Sequence, residues 1–134
     1  MKTINKLLPL AIEVAKEKLV KDGKIDAKMN GYFSSFGASI LSAGILPTVI
    51  FYNQAEKEKA KIITALNEMC LKKDKLSNDT NTLPQYLESL IEEKDNVYKM
   101  KVVELTAIEN FVKDACVALK LAIRIFPKAK AQNN

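Results

Sequence analysis

Histidine is absent from this 134-residue chain, and so is tryptophan. Without histidine, the commonest general base and the commonest metal ligand are both missing. Cysteine occurs twice, as Cys70 and Cys116, far apart and each inside an apolar helical pattern. That placement suits no zinc site. It implies two buried, reduced thiols and hence an intracellular compartment. Glycine occurs only four times. Gly31, Gly37 and Gly44 follow a helical spacing with no Lys-Ser/Thr beside them, so no phosphate-binding loop is present. Of 21 basic residues only Arg124 is an arginine. Lysine lacks the guanidinium fork that reads a guanine edge, so any nucleic-acid contact is expected along the backbone rather than at the bases.

Charge is missing altogether from one stretch, Met29–Ala55, in a chain otherwise dense in Lys and Glu. Its apolar window, Phe33–Phe51, is long enough to span a bilayer. Gly44 and Pro47 divide it, however, and four serines interrupt its first half. A buried helical hairpin is therefore the expectation, with a small holin-like membrane protein as the alternative. At the N-terminus, Leu7–Ile12 is a short apolar run that Glu13 ends, with no small-residue cleavage site after it. It starts an amphipathic helix rather than an export signal. The sequon Asn78-Asp79-Thr80 then carries no meaning.

The length suits one domain over residues 1–134, and the apolar content supports a core. A first helix is expected over Thr3–Lys21, starting nearer Leu8 or kinked at Pro9, with Asp22-Gly23 as its stop. After a linker, Lys24–Asn30, Asn30 caps a helix over Gly31–Ala43. Gly44 ends that helix, and Pro47 fits the first turn of the next, Leu46–Gln54. A charged helix over Ala55–Lys73 follows, then a polar loop, Asp74–Asn81. Thr82 and Gln85 form a capping box opening a helix over Leu83–Glu93. The last helix is expected to run from Asp95 or Asn96 to Phe126, with an apolar stripe through Met100, Val103, Ala107, Ile108, Phe111, Ala115 and Leu119. A frayed tail, Lys128–Asn134, ends the chain. No strand pattern stands out, so the fold class is all-α, a compact bundle of five or six helices with a long C-terminal one.

No constellation offers catalysis. Glu92, Glu93 and Asp95 sit together at the end of a helix with no apolar pocket to perturb them, and Ser34-Ser35 has no base. The reading is a non-enzyme without cofactor or metal. The cations are more informative, since the net charge is +5. Lys113, Lys120 and Arg124 share one face of the last helix, and Lys128 and Lys130 extend it. Lys16, Lys18, Lys21, Lys24 and Lys28 cluster after the first helix. Either set could track a phosphate backbone.

The run from Tyr32 through Ile40 to Gly44-Ile45-Leu46-Pro47-Thr48-Val49-Ile50-Phe51-Tyr52 resembles the signature of a CRISPR-associated family. This is the small helical subunit of the Cmr (type III-B) RNA-guided effector complex. Tyr98 and Phe111-Val112-Lys113 also fit its pattern. A Trp-Leu-Lys-like run of the family is missing, and Ala118-Leu119-Lys120 stands in its place. The resemblance implies a non-catalytic cytoplasmic subunit that stacks beside the other Cmr subunits and lines the groove for guide RNA and target RNA. Target cleavage then belongs to the backbone subunits, and signalling-nucleotide synthesis to the large one. The subunit is expected to be monomeric in isolation and to stay off membranes. The resemblance assigns no role to Lys113, Lys120 or Arg124. A helical adaptor with a purely protein partner is the remaining alternative.

Overall fold

The computed structural model describes residues 2–77 and 80–130. The fold is all-helical and compact, with six α-helices among those residues and a long C-terminal one at its centre. The order is α1 (Lys2–Lys18), β1 (Val20–Lys21), β2 (Lys24–Ile25), α2 (Met29–Ala43), α3 (Ile45–Asn53), a 3₁₀ turn (Lys57–Ala60), α4 (Lys61–Lys72), α5 (Leu83–Ser89), β3 (Ile91–Lys94), β4 (Val97–Met100), α6 (Val102–Ala122) and a final 3₁₀ turn (Ile123–Ile125).

α6 is the axis of the bundle. It packs chiefly on α1 and α2, while α4 closes against α1 and α3 folds back on α2. Its buried arc is Ile108, Val112, Ala115, Cys116, Ala118, Leu119 and Ala122. α1 meets it with Leu7, Ala11, Val14 and Ala15. α1 starts at Lys2 and runs through Pro9 without interruption, so neither a later start nor a break is needed. Pro9 and Asn5, whose carbonyl Pro9 cannot bond, are both exposed, and water can satisfy that carbonyl.

The uncharged stretch forms the expected hairpin of two helices. Phe33, Phe36 and Ile40 of α2 and Ile45, Val49 and Tyr52 of α3 enter the core. Full burial of Phe33 and Phe36 stabilises the fold by roughly 2–3 kcal/mol each. Gly44 makes the corner at φ 89°, where a side chain would be strained. The hydroxyl of Thr48 donates to Gly44 O at 2.8 Å and accepts from Ser39 Oγ at 2.6 Å. The small polar residues thus pin the hairpin from inside. No helix among the described residues is long and apolar enough to cross a membrane.

Several local expectations are corrected. Asp22-Gly23 is the turn of a β-hairpin, not a helix stop, and Val20 pairs with Ile25. Asn30 lies inside α2 and caps nothing; the residue before the helix is Lys28. The charged helix is divided, the 3₁₀ turn taking its first residues. α5 ends at Ser89 rather than Glu93. The last helix begins at Val102, and residues before it form a second hairpin in which Ile91 pairs with Met100 and Lys94 with Val97. Asp95 and Asn96 are its turn, not a helix cap. Both hairpins use two-residue turns with positive φ at each central residue: 54° and 75° at Asp22 and Gly23, 54° and 62° at Asp95 and Asn96. That geometry matches the twist of paired strands. Val103, 79% exposed, and Ala107, also exposed, lie within α6 but outside the core, so the expected apolar stripe is buried only from Ile108 onward. Lys128 and Ala129 are tied to the fold rather than frayed. The sequon asparagine, Asn78, and residues 131–134 lie outside the described residues.

Candidate nucleic-acid interface

Part of each predicted cation cluster, Lys21, Lys24 and Lys28 of one and Arg124, Lys128 and Lys130 of the other, converges at one end of the bundle. The cause is a backbone contact between distant parts of the chain. Ile25 pairs with Lys128 in a parallel bridge. Ile25 N donates to Pro127 O at 2.8 Å, and Ala129 N donates to Ile25 O at 2.7 Å. The segment after α6 is thereby laid along β2, and Lys130 lines the same groove as Lys28.

Three contiguous grooves surround this bridge. The first is lined by Lys21, Lys24, Asp22, Asp26 and Glu58. The second, of about 440 Å³, is lined by Ile25, Asn30, Ile123, Arg124, Phe126 and Lys128. In its wall Asn30 Oδ1 is buried without a hydrogen-bond partner. The third, of about 630 Å³, lies between the start of α2 and the 3₁₀ turn, and is lined by Lys28, Tyr32, Lys57, Lys59, Glu56 and Lys130. All three share Asp26 as a wall or rim.

Carboxylates at this end are partly engaged already. Asp26 Oδ1 accepts from the backbone N–H of Lys28 at 2.8 Å, which tightens the turn into α2. Glu58 is paired with Lys61 at 2.8 Å. Against these, Lys21, Lys24, Lys28, Lys57, Lys59, Arg124, Lys128 and Lys130 line the grooves. The local balance is cationic, and concave walls focus such a field on an anion.

The other predicted residues stand elsewhere. Lys113 and Lys120 lie half-buried on the outward face of α6, on either side of Val117. Arg124 continues that face but sits in the terminal 3₁₀ turn, where it joins the second groove. Lys120 approaches Cys116, whose thiol burial pushes up to about 12 while the ammonium pulls it down. Lys16 and Lys18 occupy the last turn of α1. There they complement the helix dipole, as Lys120 does at the end of α6. The structure therefore unites Lys21, Lys24, Lys28 and Arg124 at one end and leaves Lys16, Lys18, Lys113 and Lys120 on helix surfaces.

Sequence reasoning missed Lys57, Lys59 and Tyr32 as groove residues. Lys57 and Lys59 read as part of a charged helix, and Tyr32 entered only through the family resemblance. The one signal was Glu56-Lys57-Glu58-Lys59 following directly on an uncharged stretch, which marks a chain reversal. No group of acidic and cysteine side chains able to hold a metal ion occurs among the described residues. No family model, no curated protein and no solved structure matches this chain.

Proposed function

We propose that this chain is a non-catalytic, RNA-backbone-binding subunit of a Cmr (type III-B) effector complex. In that role it packs beside partner subunits in the cytoplasm and lines the path of guide RNA and target RNA. The observation that carries the RNA-binding part is the convergence of cations from two distant segments at the Ile25–Lys128 bridge. Lysines with a single arginine suit phosphate contact and not base readout. The Cmr assignment rests on the resemblance carried by Tyr32 and Gly44–Tyr52. A subunit role is also supported by apolar side chains left in solvent. Leu41, Ile50 and Phe51 on the α2–α3 hairpin are exposed, as are Val97, Tyr98, Val102 and Val103 around β4.

The test combines assembly with binding. The chain is mixed with the remaining Cmr subunits and guide RNA, and the product is analysed by size exclusion and by target-RNA titration across salt concentrations. The proposal expects incorporation into the complex and RNA affinity that falls steeply with salt. A complex that forms equally well without the chain, or RNA affinity unchanged by its omission, would overturn it.

A further inference from the structure

We infer that the groove between α2 and the 57–60 turn is a subsite for one unpaired base of a single-stranded nucleic acid, stacked on Tyr32 with its flanking phosphates on Lys28, Lys57 and Lys130. The inference rests on the RNA-binding reading above and assigns it a ligand form. Tyr32 is the aromatic residue in the lining of this groove. Tyr32 is half-buried and packs against the core. Among the described residues no second ring stacks on it and no cation covers it, whereas Lys59 sits over Phe51 and Tyr52 at 4.9 and 5.2 Å. A half-exposed aromatic ring lining a groove beside cations is the arrangement that accepts an unstacked base without regard to its identity.

The charges fit the same ligand. Glu58 is paired with Lys61, and the carboxylates of Asp26 and Glu56 face the four cations Lys28, Lys57, Lys59 and Lys130, so the groove stays cationic. Lys57 holds φ 57°, a conformation disfavoured for a residue with a side chain. The volume of about 630 Å³ lies within the roughly 300–1,000 Å³ of small-ligand clefts. A duplex keeps its bases stacked and cannot present one to the ring. An acidic peptide would use the lysines and ignore it.

The experiment is an anisotropy titration of the full chain with a labelled oligo-U strand, a duplex of equal length and an acidic peptide. Wild type is compared with the Tyr32→Phe and Tyr32→Ala variants, each first checked for helicity. Tyr32→Ala is expected to weaken oligo-U binding roughly five- to hundred-fold, with Tyr32→Phe within about twofold of wild type and duplex affinity unmoved. Because the chain has no tryptophan, the Tyr32→Trp variant supplies a single reporter, whose emission is expected to be quenched by oligo-U and not by the duplex. RNA binding that is retained with equal affinity in Tyr32→Ala, or lost equally for strand and duplex, overturns the subsite while leaving the RNA-binding reading intact. Peptide binding alone, or no binding of any RNA, overturns both.

Discussion

Ile25 and Lys128 are bridged in parallel, although most of the chain separates them. The contact is small, but everything at the cationic end depends on it, because it fixes the path of the chain after Phe126. The Ala129→Pro substitution removes the N–H that bonds Ile25 O at 2.7 Å. Loss of that bond is expected to cost about 1 kcal/mol. Hydrogen exchange is the direct measure. The Ile25 amide should exchange faster in the variant, core amides of α6 should not, and RNA affinity should fall with the loosened tail.

Thr48 is buried, and its hydroxyl is shared between Gly44 O and Ser39 Oγ. Thr48→Val keeps the shape and removes both hydrogen bonds. The expected loss is about 1–3 kcal/mol, read as a lower urea midpoint with an unchanged slope. In the Ser39→Ala/Thr48→Val double variant the loss should be smaller than the sum of the two single losses, since each removes the same bond.

Asp95 and Asn96 hold the β3–β4 turn at positive φ, and the hairpin has its main contact with α5 through β3. Asn96→Gly relieves the backbone and is expected to be neutral or stabilising. Asn96→Val places a β-branched residue in a left-handed conformation, at a cost of roughly 1–2 kcal/mol. The hairpin can open without the bundle, so the effect is read locally. Amides of residues 91–100 should lose protection in Asn96→Val while the melting temperature barely changes.

The helices were legible in the sequence wherever one face was apolar, and of the expected end signals Gly44 and Thr82 hold while Asp22-Gly23, Asn30 and Asp95 do not. Thr82 accepts from Gln85 N at 3.2 Å as the capping box requires, although Gln85 reaches back to Asn81 N rather than Thr82 N. The hairpins were not legible for two reasons. Asp-Gly and Asp-Asn also read as helix punctuation, and the β3–β4 strands are exposed on both faces, so no alternation sets them apart. The start of α6 was misplaced because helical spacing continues through Met100, where the backbone is a strand. The candidate site depended on a tertiary contact: Lys28 and Lys130 are separate surface lysines until Ile25 meets Lys128.

Cys70 and Cys116 are both free, and burial pushes each thiol up to about 12. Unfolded, a thiol titrates near 8.5. The native state therefore holds these protons where the unfolded state releases them. The stabilisation is fully present below about pH 8.5 and is lost as pH rises toward about 12. By about pH 9.5 the loss should be on the order of 1 kcal/mol per thiol. Urea unfolding of wild type and of the Cys70→Ala/Cys116→Ala variant, each across this pH range, isolates the thiol part as the difference in slope. Ellman's reagent should label neither thiol until the chain unfolds.

Salt dependence separates the two cationic surfaces. Each phosphate contact on a single strand contributes about 0.7 to the slope of log affinity against log salt concentration. Lys28, Lys128 and Lys130 line the grooves at the bridge, whereas Lys113 and Lys120 stand apart on α6. The Lys28→Gln/Lys128→Gln/Lys130→Gln variant is expected to lower the slope by up to roughly 2. Lys113→Gln/Lys120→Gln should lower it by far less if the strand follows the grooves. The opposite ranking would move the RNA path onto the outward face of α6 and leave the bridge with a purely structural role. Arg124 belongs to both surfaces, so it is left unchanged in either variant.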